Sequence, residues 1–383
     1  MFKFNFDIED IDEEAALVNE STETSIPSTS EVAQNPFKEL SLQHLIDSLP
    51  TQLSCSPLTI SSQEPGKTIH LARRDLFDAR FQLISDGTGA PEGDEKQNSE
   101  PKSALAFLET PSDLVPGVYE GGLKTWECSL DLAEYLDGLK QKHGFSVLGK
   151  RVLEIGCGTA VPSMYLLNQA FSSPIQEKDT VFHLQDYNDS ALELVTFPNM
   201  ILTWYMSPAS ESFRSTSSNI NTDSEALNFP PADPSSPAEI PITPALKTAF
   251  EISLRDYRIN LRFFSGSWST FDFNTTGGEY NVVLASETIY SVESLPSLLD
   301  LLFNACREES PKASESLDEA TSRLALSASY LCLVAAKVFY FGVGGGTTEF
   351  VQAVEARQKT ASVKTVWEKD TGVTRKIMQL QWS

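Results

Sequence analysis

The chain has 383 residues, 53 acidic and 29 basic side chains, and a formal net charge of −24. Its length suggests two or three domains of roughly 150 residues each. The scarcity of Lys and Arg argues against a phosphate backbone or an anionic membrane as direct partner, because both are bound by basic side chains, and it favours a basic partner.

The start, Met1 to Asp10, carries one Lys among acidic residues and no apolar stretch, which fits neither a secretory signal nor an Arg-rich transit peptide. No apolar run approaches the about 20 residues that span a bilayer. Residues 1–24 hold eight acids against Lys3, followed by Ser/Thr/Pro-rich sequence to about Asn35. Phe37, Leu40, Leu45, Ile46 and Leu49 give a weak helical stripe. Residues 85–103 are almost without apolar side chains and cannot offset the entropy of ordering. Residues 1–112 are therefore expected to be a mostly disordered acidic, Ser-rich arm, either a solubilising tail or a docking peptide, with short islands of structure. Residues 113–383 are expected to hold one domain. About 207–245, with nine Ser and seven Pro in 39 residues, and about 308–322, rich in Glu and Ser, read as low-complexity insertions in it. Without arm and insertions about 220 residues remain, enough for a sound core.

The domain alternates helix and strand patterns. Trp126 to Leu139 has a helical stripe at Leu130, Ala133, Leu136 and Leu139. Arg151–Ile155 is a short apolar strand ended by glycines, and a helix follows from Val161 with Pro162 in its first turn. Thr180–Leu184 is a strand and Ser190 to Tyr205 a helix. Leu261–Phe264 and Tyr280–Ala285 are strands, Val292 to Cys306 a helix, Tyr330–Ala336 a buried strand, and Glu349 to Gln358 a helix. Val363–Glu368 and Lys376–Trp382 alternate like a terminal hairpin. This order implies an α/β fold with a largely parallel, doubly wound sheet, its ligand beyond the carboxyl ends of the strands.

The first strand of that series runs into Gly156-Cys157-Gly158, where glycines let the backbone approach a ligand. The third glycine of a dinucleotide fingerprint is missing, and a tight turn without a ligand is an equally good reading of the motif alone. The next strand ends in Gln185-Asp186-Tyr187-Asn188. An acid at that tip can grip a ribose diol, although Asp186 lies 28 residues beyond Gly158 rather than about 20; a helix N-cap is the competing reading. Glu154 is a second carboxylate expected near this cleft. Two acids there suit a cationic sulfonium and repel a pyrophosphate, which favours S-adenosylmethionine over a dinucleotide. His183 reads as a packed histidine. The five cysteines, Cys55, Cys128, Cys157, Cys306 and Cys332, form no CxxC pair and suggest a reducing compartment. With His44, His70, His143 and His183 far apart, no metal site is expected.

In chain order stand Tyr119-Glu-Gly-Gly-Leu-Lys-Thr-Trp-Glu-Cys128, Glu154-Ile-Gly-Cys-Gly158, Gln185-Asp-Tyr-Asn188, Phe263-Phe-Ser-Gly-Ser-Trp268, Ser286-Glu-Thr-Ile-Tyr290 and Tyr340-Phe-Gly-Val-Gly-Gly-Gly346. This set, from about residue 113 to the C-terminus, resembles the histidine protein methyltransferase family within the seven-stranded, Rossmann-like, S-adenosylmethionine-dependent methyltransferases. The resemblance implies a seven-stranded sheet with helices on both faces and its last strand antiparallel. It further implies donor contacts from Thr125, Trp126, Glu127, Cys128 and Ser129, from Gly156 and Gly158 on the methionine side, and from Gln185, Asp186, Tyr187 and Asn188 on the ribose and adenine side. Gly266, Ser267 and Trp268 would flank the adenine, and Ser286 would close the pocket. Ser267 stands where the family usually has an acid, which leaves a polar adenine contact open.

Glu287 and Tyr290 are acceptor-side candidates, with a simple helix start as the other reading of Glu287. The activity implied is methyl transfer from S-adenosyl-L-methionine, leaving S-adenosyl-L-homocysteine, to the tau nitrogen of a histidine in large-subunit ribosomal protein number three. The competing readings are lysine methylation on the same fold and a donor-binding adaptor or chaperone for a ribosomal protein. A monomer in cytoplasm and nucleus, with a basic ribosomal protein as partner and no direct contact to nucleic acid or membrane, completes the expectation.

Overall fold

The computed structural model describes residues 35–88, 114–115, 119–218, 229–306, 330–340, 344–357 and 361–382. Chain order begins with strand β1 (Lys38–Leu40), helix α1 (Leu42–Asp47), β2 (Gln52–Ser61), β3 (Thr68–Arg74) and α2 (Leu76–Thr88), then the short strands β4 (Leu114–Val115) and β5 (Tyr119–Glu120). There follow α3 (Glu127–His143), β6 (Arg151–Ile155), α4 (Val161–Phe171), β7 (Thr180–Asp186), α5 (Asp189–Ala191) and α6 (Phe197–Tyr205). Next are α7 (Glu211–Ser218), β8 (Ala238–Pro241), α8 (Pro244–Asp256), β9 (Ile259–Ser265), α9 (Phe273–Thr276) and β10 (Val282–Ser286). The series closes with α10 (Leu295–Ala305), β11 (Leu331–Lys337), α11 (Thr347–Arg357), β12 (Ser362–Lys369) and β13 (Arg375–Gln381).

The main sheet has the order β1-β9-β7-β6-β10-β11-β13-β12. β9, β7, β6, β10 and β11 run parallel, and β13 is antiparallel to β11. This contains the expected seven-stranded arrangement, and β1 adds an eighth strand antiparallel to β9. The parallel centre is buried on both faces, which is why its strands read as continuous apolar runs: Val152, Leu153 and Ile155 of β6 and all five residues of β10 are buried. Side chains alternate between faces. Val152, Val282 and Leu284 join one core with residues of α3, α4, α6 and α8; Leu153, Val283 and Ala285 join another with residues of α10 and α11.

Helix starts and stops follow local chemistry. Thr243 caps α8 by accepting the Leu246 N–H at 3.1 Å, with Pro244 in the first turn. Gly144, at φ 66°, ends α3 in the left-handed conformation. Between α5 and α6 a π-helical turn, Leu192–Thr196, interrupts the helix read at 190–205. The extra residue turns Thr196 toward the glycine loop, where its hydroxyl donates to Gly158 O at 2.6 Å.

The structure corrects the reading of residues 35–88 as part of a disordered arm. β2 pairs with β3 and β8 in a separate antiparallel sheet, which packs on α3 and α6. The polar residues of this segment are interleaved with buried Leu53, Cys55, Ile60, Leu71 and Ala72, so enough apolar surface is removed from water to order it. The insertion expected at 207–245 is likewise partly regular, contributing α7 and β8. The acidic start, residues 89–113 and the stretch 308–322 lie outside the described residues. All five cysteines are free and buried. Among the described residues, no helix is long and apolar enough to cross a membrane.

Candidate active site

A cleft of about 770 Å³, open on one side, lies beyond the carboxyl ends of β6, β7 and β10. Its base is the loop after β6. Gly156 (φ 59°) and Gly158 (φ 49°) adopt the left-handed conformation, and neither has room for a side chain. A Cβ on Gly156 would lie 2.8 Å from Thr288 Cγ2, and one on Gly158 would lie 3.1 Å from Gly122 O. Backbone and glycine thus form one wall, with Gly121, Gly122, Cys157 and Thr159.

Asp186 sits at the tip of β7. Its Oδ2 accepts the Gly158 N–H at 2.8 Å and its Oδ1 accepts the Asn188 N–H at 3.1 Å. The carboxylate therefore fixes the glycine loop as well as lining the cleft. It is not the helix cap; Asn188 holds that position, without a capping side-chain bond. Gln185 stands directly behind. Its Oε1 accepts from Trp268 Nε1 at 3.0 Å and from Gly156 N at 3.3 Å, and its Nε2 donates to Gly266 O at 2.9 Å. One buried amide thereby ties the ends of β6, β7 and β9 together.

The structure brings Trp126, Ser129, Gly156, Gly158, Asp186, Tyr187, Trp268 and Ser286 into the wall of this cleft, along with Glu287 and Tyr290. The other sequence candidates stand outside it. Thr125 bonds Arg73 and Thr159, Cys128 is buried with its N–H on Glu287, and Glu127 pairs with Lys337 at 3.0 Å. Asn188 donates to Gly121 O at 2.9 Å, and Gly266 packs against the backbone of Pro36. Ser267 is absorbed in its own turn, its hydroxyl 2.9 Å from that of Ser269. Lys124, Thr288 and Tyr340 line the cleft without having been singled out. Tyr340 opens the glycine-rich run quoted for the resemblance, which was the available signal.

Glu154 is a correction. It is buried to 1 % exposure beneath α4, where its Oε2 accepts both the N–H and the hydroxyl of Ser163. It does not line the cleft. Burial pushes its carboxyl up to about 8, against the pull of the Ser163 bonds and with the Asp186 charge adding to the rise. The carboxylates in the wall are Asp186 and Glu287, and Glu287 is paired with Lys337 at 3.6 Å, so Asp186 alone remains of the two acids expected to face the sulfonium. A carboxyl with a raised folded-state pKa binds a proton that the unfolded chain, at about 4.3, has lost. Stability from this group is full below about pH 4 and falls as pH rises toward 8. Glu154→Gln should therefore flatten the decline in melting temperature between pH 5 and pH 8, measured by calorimetry, and raise stability at pH 8.

His183 is buried in β7 with Nδ1 2.8 Å from the Tyr280 hydroxyl. Burial, with Arg151 and Arg262 nearby, pulls its pKa down to about 3, so the ring is neutral and structural.

No family model matches the chain. Histidine protein methyltransferase 1 of Saccharomyces cerevisiae is 31% identical over 293 residues, covering 75% of this chain and 69% of the relative. The protein of the same name from Schizosaccharomyces pombe is 31% identical over 316 residues, covering 81% and 74%. The chain belongs to the histidine protein methyltransferase family. A Dictyostelium discoideum homologue aligns over 99% of this chain and 98% of its own length at 24% identity. Among solved structures, a magnesium protoporphyrin IX methyltransferase from Synechocystis with bound S-adenosylmethionine covers 80% of this chain and 98% of its own, at 11% identity and a TM-score of 0.33.

As a member of this family the chain is an enzyme, and the family implies S-adenosylmethionine as its methyl donor. Its cleft fits that group. The glycine wall admits close approach, two indoles and Tyr187 offer flat apolar faces, and a carboxylate stands at the strand tip where a ribose is held. Thr288 Oγ1 is buried in the same wall without a hydrogen-bond partner among the described residues, a donor and acceptor left for a ligand.

Proposed function

We propose that the protein methylates the tau nitrogen of a histidine in a basic ribosomal protein of the large subunit, protein number three by family resemblance. Family membership carries this reading, supported by the complementarity between a chain of net charge −24 and a basic substrate. In the same reading the protein works as a monomer in cytoplasm and nucleus, contacting neither nucleic acid nor membrane directly.

Bound in the cleft, S-adenosylmethionine supplies a methyl group on a positively charged sulfur. Asp186 holds the ribose side, Gly156 and Gly158 admit the methionine part, and Trp268 and Tyr187 cover the adenine side. Trp126 packs near the donor, and Tyr290 and Tyr340 wall the acceptor side. A neutral imidazole needs no strong base, since it is uncharged above its pKa of about 6.5. The protein therefore contributes chiefly alignment of acceptor nitrogen, methyl carbon and sulfur.

Incubation with isotopically labelled donor and a ribosomal-protein extract, followed by mass spectrometric mapping, tests this. Label is expected on one histidine of a large-subunit protein. Label on lysine would replace the reading with lysine methylation, and donor binding without label would replace it with an adaptor. Deletion of residues 1–24 should weaken substrate affinity at low salt by about threefold or more if the acidic start steers the substrate; unchanged affinity would remove it from the account.

A further inference from the structure

Tyr187, in the loop after β7, and Trp268, in the loop after β9, stand in the cleft wall on its adenine side. Asn35, ahead of β1, bonds to both loops. Its Nδ2 donates to Tyr187 O at 2.7 Å, and its backbone O accepts the Ser267 N–H at 2.9 Å and the Thr270 hydroxyl at 3.4 Å. The sheet holds Asn35 in place. Lys38, Glu39 and Leu40 pair in register with Ser265, Phe264 and Phe263 of β9, and Glu39 accepts from the Arg262 guanidinium at 2.7 and 2.8 Å. Phe37 stacks on Phe264 with ring centres 5.4 Å apart and meets Phe271 edge-on at 5.0 Å. Phe271 closes the short turn Trp268–Thr270. Lys38 pairs with Asp189, which opens α5 just beyond Tyr187. Ser267 cannot make the link between the loops itself, because its hydroxyl is turned onto Ser269 at 2.9 Å. Trp268 is tied to Gln185 by its indole N–H at 3.0 Å, which fixes the ring but not the Tyr187 backbone.

We propose that Asn35 is a positioning residue for the methyl donor, fixing the Tyr187 and Trp268 loops at the separation that the adenine needs. Loops place side chains less exactly than strands do. Here one amide, carried on a strand-anchored segment, transfers the order of β1 and β9 to both loops. The adenine then enters a slot already formed, and the ordering cost that binding otherwise meets is reduced. An amide suits the task, since its N–H groups can satisfy the Tyr187 carbonyl without bringing a charge to the site. Asn35 stands behind the cleft wall and not in it, far in role from the reacting atoms. It therefore acts on donor affinity and leaves the methyl-transfer step alone. The segment 35–40, which by composition reads as part of an arm, becomes in this way a part of the donor site.

The inference rests on the donor placement above, with the adenine beside Tyr187 and Trp268, and its test is separable from that placement. Full-length wild type, Asn35→Ala, Asn35→Asp and Trp268→Ala are compared. Titration calorimetry reads their affinity for S-adenosylhomocysteine and for 5′-methylthioadenosine, which keeps the adenine and lacks the amino-acid end. Asn35→Ala should weaken both ligands about tenfold, which is about 1.4 kcal/mol and the size of one neutral hydrogen bond. Asn35→Asp keeps the shape but turns an oxygen toward the Tyr187 carbonyl, and it should lose at least as much. In turnover assays both Asn35 variants should raise the donor KM about tenfold while kcat at saturating donor stays within about twofold. Donor affinity within about twofold of wild type in both Asn35 variants overturns the inference, even where their melting temperature falls, since Asn35 would then be a structural contact only. A loss confined to S-adenosylhomocysteine overturns it too, because the effect would lie at the amino-acid end, as does a fall in kcat as large as the fall in affinity. Where the Asn35 variants are unchanged and Trp268→Ala still weakens both ligands, the donor placement stands without the inference. Where Trp268→Ala is unchanged as well, both fall.

Discussion

Asp186→Ala is expected to weaken S-adenosylmethionine binding about 100-fold or more, measured by titration calorimetry. The carboxylate has two tasks, and the substitution removes both. It accepts the Gly158 and Asn188 N–H groups at 2.8 and 3.1 Å, and a hydrogen bond to a charged group is worth about 1.5–3 kcal/mol. Two such bonds hold the glycine loop in its left-handed form, so their loss lets the wall open. The ribose contact is lost with them. At about 1.4 kcal/mol per factor of ten, even the lower figure for the two bonds together, about 3 kcal/mol, corresponds to the expected loss of about 100-fold. Asp186→Asn keeps one acceptor oxygen and should fall between. Gly156→Val attacks the same wall from the other side, because its Cβ would meet Thr288 at 2.8 Å in a conformation that side chains avoid. Unchanged affinity in both variants would move the donor site elsewhere.

The parallel core was legible because burial on both faces leaves an unmistakable pattern. Arg151–Ile155 is observed with the bounds expected from five residues ended by glycines. Asp186 was legible from its place at a strand tip. Glu154 was not, although period-two alternation contained the answer. Leu153 and Ile155 face α10 and α11, so Val152 and Glu154 face the opposite core, and there Ser163 of α4 receives the carboxylate. Proximity in sequence to the glycines is not proximity to the cleft. Lys124, Thr288 and Tyr340 escaped notice for another reason. All three stand within the motifs quoted for the resemblance; which residues of a motif face the cleft is set by contacts between distant segments, such as Tyr340 with Glu287 53 residues away.

Composition alone conceals the order of Gln52–Arg74. Ser, Thr and Pro make up half of β2, yet Leu53 and Cys55 are buried on one face and Ile60 on the other. Composition averages the two faces of a strand, and only alternation separates them. The same error hid a structural link to the active site. Arg73 donates to Thr125 at 3.0 Å, and Thr125 to Thr159 in the cleft wall at 3.1 Å. Asn199 accepts the Arg74 N–H at 2.8 Å and donates to Thr159 O at 2.9 Å.

Truncation to a chain beginning at residue 89 is therefore expected to abolish cooperative folding, not merely to remove a tail. Seven apolar side chains of the segment, Leu40, Leu45, Ile46, Leu49, Leu53, Ile60 and Leu71, are buried. At about 1.5–3 kcal/mol each, they contribute as much as the entire stability of a typical domain, about 5–15 kcal/mol. The faces of α3 and α6 that β2 and β3 cover would meet water, and β9 would become an open sheet edge prone to aggregation. Arg74 adds a polar share. Its guanidinium, fully buried, donates to Asp78, Gln82 and Leu194 O, and Arg74→Ala should cost about 3–5 kcal/mol by leaving those partners unmet. Gly266→Ala isolates the first strand from the rest. Its Cβ would lie 2.5 Å from Pro36 O at φ 112°, so residues 35–40 must shift off β9. Asn35, which donates to Tyr187 O at 2.7 Å, would shift with them, and stability and donor affinity should fall together. A truncated chain that still melts cooperatively with full donor affinity would return this segment to the status of an arm.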